Sequence, residues 1–227
     1  MKRALAALAL ALGAASPSPA QTLSGFGTAV IDGFIGNDEW ASASAPLFLV
    51  DTPGGTEGGA LYVMNDATNL YFGLVVVYLG GAVDLSVELD ASGDDETLTA
   101  GDDAIGCYSL NDAARDVYRI ESSAPSDASG GGTVDVSCAS GTTAVSTYIE
   151  MSHPLDSGDG RDIAVGPGAT LPFFASIRVF PGAHDTYYPG PGAGIEAQIE
   201  IVPEPTSAAS AALVSVALWL LRRRAAA

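Results

Sequence analysis

The sequence predicts an all-β protein, an antiparallel β-sandwich of jelly-roll type, set between two segments that do not belong to the fold. Three observations predict it. Short runs rich in Val, Ile, Leu, Tyr and Phe alternate apolar and polar residues with a period of two, as half-buried strands do. Clusters of Gly, Ser, Thr, Asp and Pro separate these runs. Helical periodicity is scarce in the middle of the chain.

The elements follow in order. Ala60–Val63 and Asn69–Tyr78 read as a hairpin around Asn65-Asp66-Ala67-Thr68. In the second run Leu70, Phe72, Leu74 and Val76 share one face and Tyr71, Val75 and Val77 the other. Apolar residues on both faces mark a central strand. Leu85, Val87 and Leu89 alternate with Ser86, Glu88 and Asp90, and Val145, Thr147, Ile149 and Met151 with Ser146, Tyr148, Glu150 and Ser152. Leu171–Phe180 adds a strand, and Ile195, Ala197, Ile199 and Ile201 form a last one. Ala104–Leu110, Asp116–Glu121 and Val134–Ala139 are weaker runs, and Gly130–Gly132 reads as a flexible loop. Eight to ten short strands with turns between them suit a sandwich.

The ends read as addresses. Met1–Arg3 is basic, Ala4–Ala15 is apolar, and Ser16–Ala20 is small and Pro-rich. That is the order of a secretory signal peptide over residues 1–20, with Gln21 as the first mature residue. Residues 21–202 then form one domain, and their length is enough to bury a sizeable core. This stretch carries four arginines, no lysine and 26 acidic residues, a formal charge of −22. Such a surface repels nucleic acid and anionic lipid, and leaves divalent cations and neutral glycans as partners. Cys107 and Cys138 are the only cysteines. In an exported chain they are expected to form one disulfide, and no Cys/His spacing suggests zinc.

At the C-terminus, Val202-Pro203-Glu204-Pro205 precedes the apolar run Ala208–Leu221 and then Arg222, Arg223 and Arg224. Fourteen apolar residues are fewer than the ~20 that span a bilayer comfortably, so the run suits a short helix holding the chain only transiently. Residues 203–227 resemble the PEP-CTERM sorting signal. The resemblance implies an exosortase as partner, cleavage near the motif, and delivery to the cell surface or an exopolysaccharide matrix.

A second resemblance lies in the domain. Ile31-Asp32-Gly33-Phe34-Ile35-Gly36-Asn37-Asp38-Glu39-Trp40 is similar to the "I-D-G-x-I-x-x-x-E-W" opening of carbohydrate-binding family 9 and DOMON-like sandwiches. Leu61–Phe72 resembles their first core hairpin, and Glu150–Gly158 their later "E-x-x-I-P-L" strand end, with His153 in place of an aliphatic residue.

Three ligand chemistries follow. Asp90, Asp94, Asp95, Glu96, Asp102 and Asp103 crowd a Gly-containing loop after a strand, as oxygen ligands for Ca2+ do, although the offsets are not those of an EF-hand. A solvated acidic loop is the alternative, and the family 9 resemblance favours Ca2+. Glycan binding calls for aromatic platforms, and Tyr187 with Tyr188 is the candidate pair, with Tyr108 and Tyr148 behind it. Trp40 reads as a core anchor, and the paired tryptophans of sugar-binding family members have no counterpart here. Some DOMON relatives hold haem between Met and His, for which Met64 and His153 would serve; the apolar setting of Met64 reads instead as core packing, so haem is not expected. No catalytic motif is present, with two histidines and no nucleophile elbow, HExxH or P-loop. The sequence thus predicts an exported, non-catalytic sandwich that binds polysaccharide or serves as an acidic structural component of a matrix.

Overall fold

The structure is a computed structural model. It describes residues 22–36, 38–78, 80–90, 100–118, 125–182, 184–189 and 197–205. The predicted signal peptide, Asp94, Asp95 and Glu96, and the tail from 206 onward, with its short helix and Arg222–Arg224, lie outside the described residues. Among the described residues no helix is long and apolar enough to cross a membrane.

The elements are β1 (Thr22–Leu23), β2 (Leu47–Thr52), β3 (Gly55–Asn65), β4 (Asn69–Val76), β5 (Val83–Leu89), β6 (Asp103–Tyr108), β7 (Ala113–Tyr118), α1 (Asp127–Gly130), β8 (Ser137–Thr142), β9 (Thr147–Pro154), β10 (Thr170–Val179), β11 (His184–Tyr188) and β12 (Ala197–Glu200). They form a five-stranded sheet, β2-β3-β4-β9-β8, and a seven-stranded sheet, β1-β12-β10-β5-β6-β7, in which β11 also pairs with β10. Pairing is antiparallel except between β1 and β12.

The two sheets bury one core between them. Leu61, Val63, Leu70, Phe72, Leu74, Ile149 and Met151 come from one side, and Leu85, Val87, Leu89, Ile105, Phe173, Ala175 and Ile177 from the other. Phe72 and Phe173 meet across the middle with ring centroids 6.1 Å apart. β4 lies in the centre of its sheet with apolar residues on both faces, as its sequence predicts. Cys107 on β6 and Cys138 on β8 form the expected disulfide, which ties one sheet to the other.

The N-terminal segment covers the outer face of the five-stranded sheet and builds a second, smaller core from Ala29, Trp40, Met64 and Tyr71. Glu150 organises it. One carboxylate oxygen accepts the N–H groups of Asp32 (3.0 Å), Gly33 (2.7 Å) and Phe34 (3.1 Å). The other accepts the indole N–H of Trp40 at 2.9 Å. Gly33 adopts φ +86°, and a Cβ there would sit 2.5 Å from the Ser140 carbonyl. The indole rests on Gly73, the cross-strand partner of Glu150, where a Cβ would lie 3.1 Å from the ring. This network is the physical content of the Ile31–Trp40 motif.

Several boundaries differ from expectation. β7 begins before Asp116, β8 lies three residues beyond the predicted Val134 start, and β9 begins at Thr147 with Val145 exposed. The Gly130–Gly132 stretch includes the end of α1, whose Ser126 side chain caps the backbone N–H of Ser129. The chain end is fastened: Asn65 accepts from the Val202 N–H (2.8 Å) and donates to the Val202 carbonyl (2.9 Å). Pro203, Glu204 and Pro205 then stand exposed.

Candidate functional site

The outer face of the seven-stranded sheet carries a polar trough. Register places Arg115, Gly106, Ser86, Ser176 and Tyr187 in one row across β7, β6, β5, β10 and β11. Asp84, Arg178 and Asp185 align in the next row. The small residues in the middle leave a floor, and the long side chains at either side form walls. A Cβ on Gly106 would lie 2.8 Å from the Arg115 guanidinium, so glycine there lets the arginine fold over the sheet. Arg115 pairs with Asp84, and Arg178 grips Asp185 through Nε (2.6 Å) and Nη2 (3.0 Å). Two adjoining depressions of about 150 and 200 Å3 result. Burial raises the Asp84 carboxyl above its ordinary value, against the pull of Arg115 and Arg178.

Tyr187 closes one end of the trough. It is 39% exposed and stacks on Phe174 with centroids 5.3 Å apart and planes 23° from parallel. Tyr188 corrects the expected pair: strand alternation in β11 turns it inward, where it is 6% exposed and packs on Phe48 and Phe173. A buried ring cannot serve as a sugar platform. Tyr108 and Tyr148 pack against Phe180 and Phe34 instead. Sequence reading missed Arg115, Arg178 and Phe174; a signal existed, because only four arginines offset 26 acids in residues 21–202.

A second constellation lies inside. Asp103 on β6, Asp116 on β7, His153 on β9 and Asp162 after β9 bring one ligand atom each within 4.8 Å of one another. The side chains of all four are fully buried. Burial and the neighbouring carboxylates of Asp116 and Asp162 push the Asp103 carboxyl up to about 8. Asp127 on α1 is likewise raised to about 8, by burial and by its contact with Asp162. Of the residues expected to hold Ca2+, Asp103 belongs to this cluster, while Asp90 and Asp102 are buried outside it. Met64 and His153 occupy opposite faces of the five-stranded sheet: Met64 pairs with Tyr71 in the outer core, whereas His153 pairs with Leu70 on the inner face. They cannot flank one haem.

No protein-family model matches this sequence, and no curated protein matches it. Solved structures do match in fold. A carbohydrate-binding module of family 9 from Caldicellulosiruptor kristjanssonii in complex with cellotriose aligns with TM-score 0.56 at 13% identity, over 83% of this chain and 96% of that one. The same organism's family 9 module in complex with glucose aligns with TM-score 0.54 at 13% identity, over 82% and 98%. A putative carbohydrate-binding protein from Bacteroides uniformis aligns with TM-score 0.53 at 11% identity, over 80% and 99%. The chain therefore has the β-sandwich fold of family 9 carbohydrate-binding modules.

Proposed function

We propose that this chain is an exported, non-catalytic glycan-binding protein that uses the outer trough of its seven-stranded sheet. The observation that carries the reading is the trough itself, with two Arg–Asp pairs beside a half-exposed tyrosine ring. Sugar hydroxyls take paired donors and acceptors, and a sugar face stacks on an aromatic ring, so the trough offers both in one place. The cellotriose and glucose complexes of the fold neighbours support the same chemistry. The strongly negative surface favours a neutral polysaccharide, such as an exopolysaccharide of the producing cell, over an acidic one.

The sorting reading rests on the tail. The Asn65–Val202 clamp fixes the chain where the domain ends, and the exposed Pro203-Glu204-Pro205 beyond it is accessible to an exosortase. Mass spectrometry of the surface-associated protein tests this: loss of residues 1–20 and of the Arg222–Arg224 end is expected, and an intact Arg triplet overturns sorting. Affinity electrophoresis on cello-oligosaccharides and on the producer's exopolysaccharide tests binding. Retention lost at least tenfold in Tyr187→Ala and in Arg178→Ala is the expected result. Absence of retention on every glycan tried leaves the acidic structural matrix role as the function.

A further inference from the structure

Independently of the glycan trough, the buried constellation points to a ligand of its own. We propose that His153, Asp103, Asp116 and Asp162 form a site for one divalent first-row transition ion, of the Zn2+ or Mn2+ kind, which fastens the two sheets to each other.

The imidazole carries the argument. His153 Nδ1 lies 2.7 Å from the Pro154 carbonyl oxygen, which only accepts hydrogen bonds. Nδ1 therefore bears the proton, and in the neutral ring Nε2 presents a lone pair. That nitrogen is fully buried and has no hydrogen-bond partner among the described residues. It faces Asp103 Oδ2 at 3.9 Å, Asp116 Oδ2 at 4.0 Å and Asp162 Oδ2 at 3.9 Å. Those separations are too long for hydrogen bonds. Four Lewis bases thus converge on one enclosed point, and a proton on Nε2 could bridge to none of the oxygens. The nitrogen lies 3.9–4.0 Å from each oxygen, and the four side chains bring one ligand atom each within 4.8 Å of one another. A tetrahedron with edges in that range has its centre roughly 2.4–2.9 Å from each corner, so closing in by roughly 0.2–0.9 Å reaches the ~2.0–2.2 Å of Zn–N and Zn–O bonds.

The donor set also selects the ion. Imidazole suits zinc, copper, iron and nickel, and the three carboxylates also suit manganese, whereas Ca2+ and Mg2+ prefer oxygen alone. Two of the facing oxygens are themselves held by a hydrogen-bond donor, which orients each carboxylate and leaves its remaining lone pair for an ion. Asp116 Oδ2 accepts the Asp135 N–H at 2.8 Å, and Asp162 Oδ2 accepts the Ser157 hydroxyl. Asp103 and Asp116 come from the seven-stranded sheet and His153 from the five-stranded one, so a bound ion would bridge the core.

The test uses the full-length protein, purified in chelator and dialysed. Calorimetric titration with Zn2+, Mn2+ and Ca2+ is expected to show one transition ion per chain, with Zn2+ at micromolar Kd or tighter and Ca2+ at least 100-fold weaker. Co2+ loading is expected to give visible d–d bands and a paramagnetically shifted Nδ1–H resonance from an imidazole ligand, readouts that need no variant. His153→Gln should weaken Zn2+ at least 100-fold and Asp162→Asn at least tenfold, each checked for folding by circular dichroism in chelator, while the exposed Asp38→Asn changes nothing. Stoichiometric binding of Ca2+ alone, Co2+ spectra without an imidazole ligand, or weak multi-site binding that vanishes at physiological salt overturns the proposal.

Discussion

Glu150→Gln tests the network that anchors the N-terminal segment. Its carboxylate accepts four hydrogen bonds, three on Oε2 and one on Oε1. Glutamine has only one acceptor oxygen, and the better placement gives it to the three backbone N–H groups. The amide NH2 then opposes the indole N–H of Trp40, a residue 3% exposed. A buried donor left without an acceptor costs about 1–3 kcal/mol. The three remaining bonds also lose their charge assistance, about 1 kcal/mol each. Part of this is offset because the amide escapes the desolvation that raises the Glu150 carboxyl above its ordinary value. The net loss works out at about 3 kcal/mol, a fall in Tm of roughly 6–12 °C for a domain of this size. Trp40→Phe removes the opposed donor, so Glu150→Gln in that background should cost about 1–2 kcal/mol less. Urea unfolding followed by circular dichroism measures all four corners of the cycle. Additivity within about 0.5 kcal/mol, or a Glu150→Gln loss below about 1 kcal/mol, would refute the reasoning.

Gly33→Ala forces a side chain onto a positive φ and into the Ser140 carbonyl, and should cost about 2–4 kcal/mol in the same assay. Reducing Cys107–Cys138, separated by 31 residues, should cost about 3–4 kcal/mol, seen as a lower urea midpoint in dithiothreitol. In chelated protein, Asp103 and Asp127 hold protons up to about pH 8 among Asp116, Asp162, Asp135, Asp159 and His153. The unfolded chain releases those protons near pH 4, so the folded state binds more of them in between. Stability should therefore fall as pH rises from about 4 to about 8, and a Tm that rises across this window contradicts it.

The strands whose inward positions are mostly apolar were legible in the sequence. β5, β9 and β10 alternate strictly, and the faces they present follow from that phase. β2 escaped notice because Leu47 and Leu49 are exposed on a strand otherwise packed inward through Val50 and Thr52. β11, His-Asp-Thr-Tyr-Tyr, has too few apolar residues to show a phase; only its pairing with β10, a tertiary contact, makes it a strand and turns Tyr188 inward. The trough is invisible locally because its walls and floor together come from five strands, and the floor is only glycine and serine. The buried cluster did leave a trace. Asp103 keeps phase with Ile105 and Cys107, and His153 with Ile149 and Met151, so polar residues sit at core positions of otherwise apolar strands. Each alone is unremarkable in sequence, and 59 positions separate Asp103 from Asp162.

β6 joins these features. Its outward Gly106 floors the trough, while its inward Asp103 and Cys107, two positions to either side of Ile105, face the opposite sheet. Cys107 is bonded to β8, and Asp103 approaches His153 on β9. The strand beneath the proposed sugar site is thus the one held at both ends to the far side of the core. Among the described residues β7, which carries Arg115, pairs with β6 alone of the named strands. Loosening either fastening should widen the trough without touching a residue that lines it. Disulfide reduction combined with chelation is accordingly expected to lower glycan affinity more than the separate losses together, because each fastening still limits the strand when the other is gone. Affinities measured after each treatment and after both distinguish this from independent effects, which would simply add.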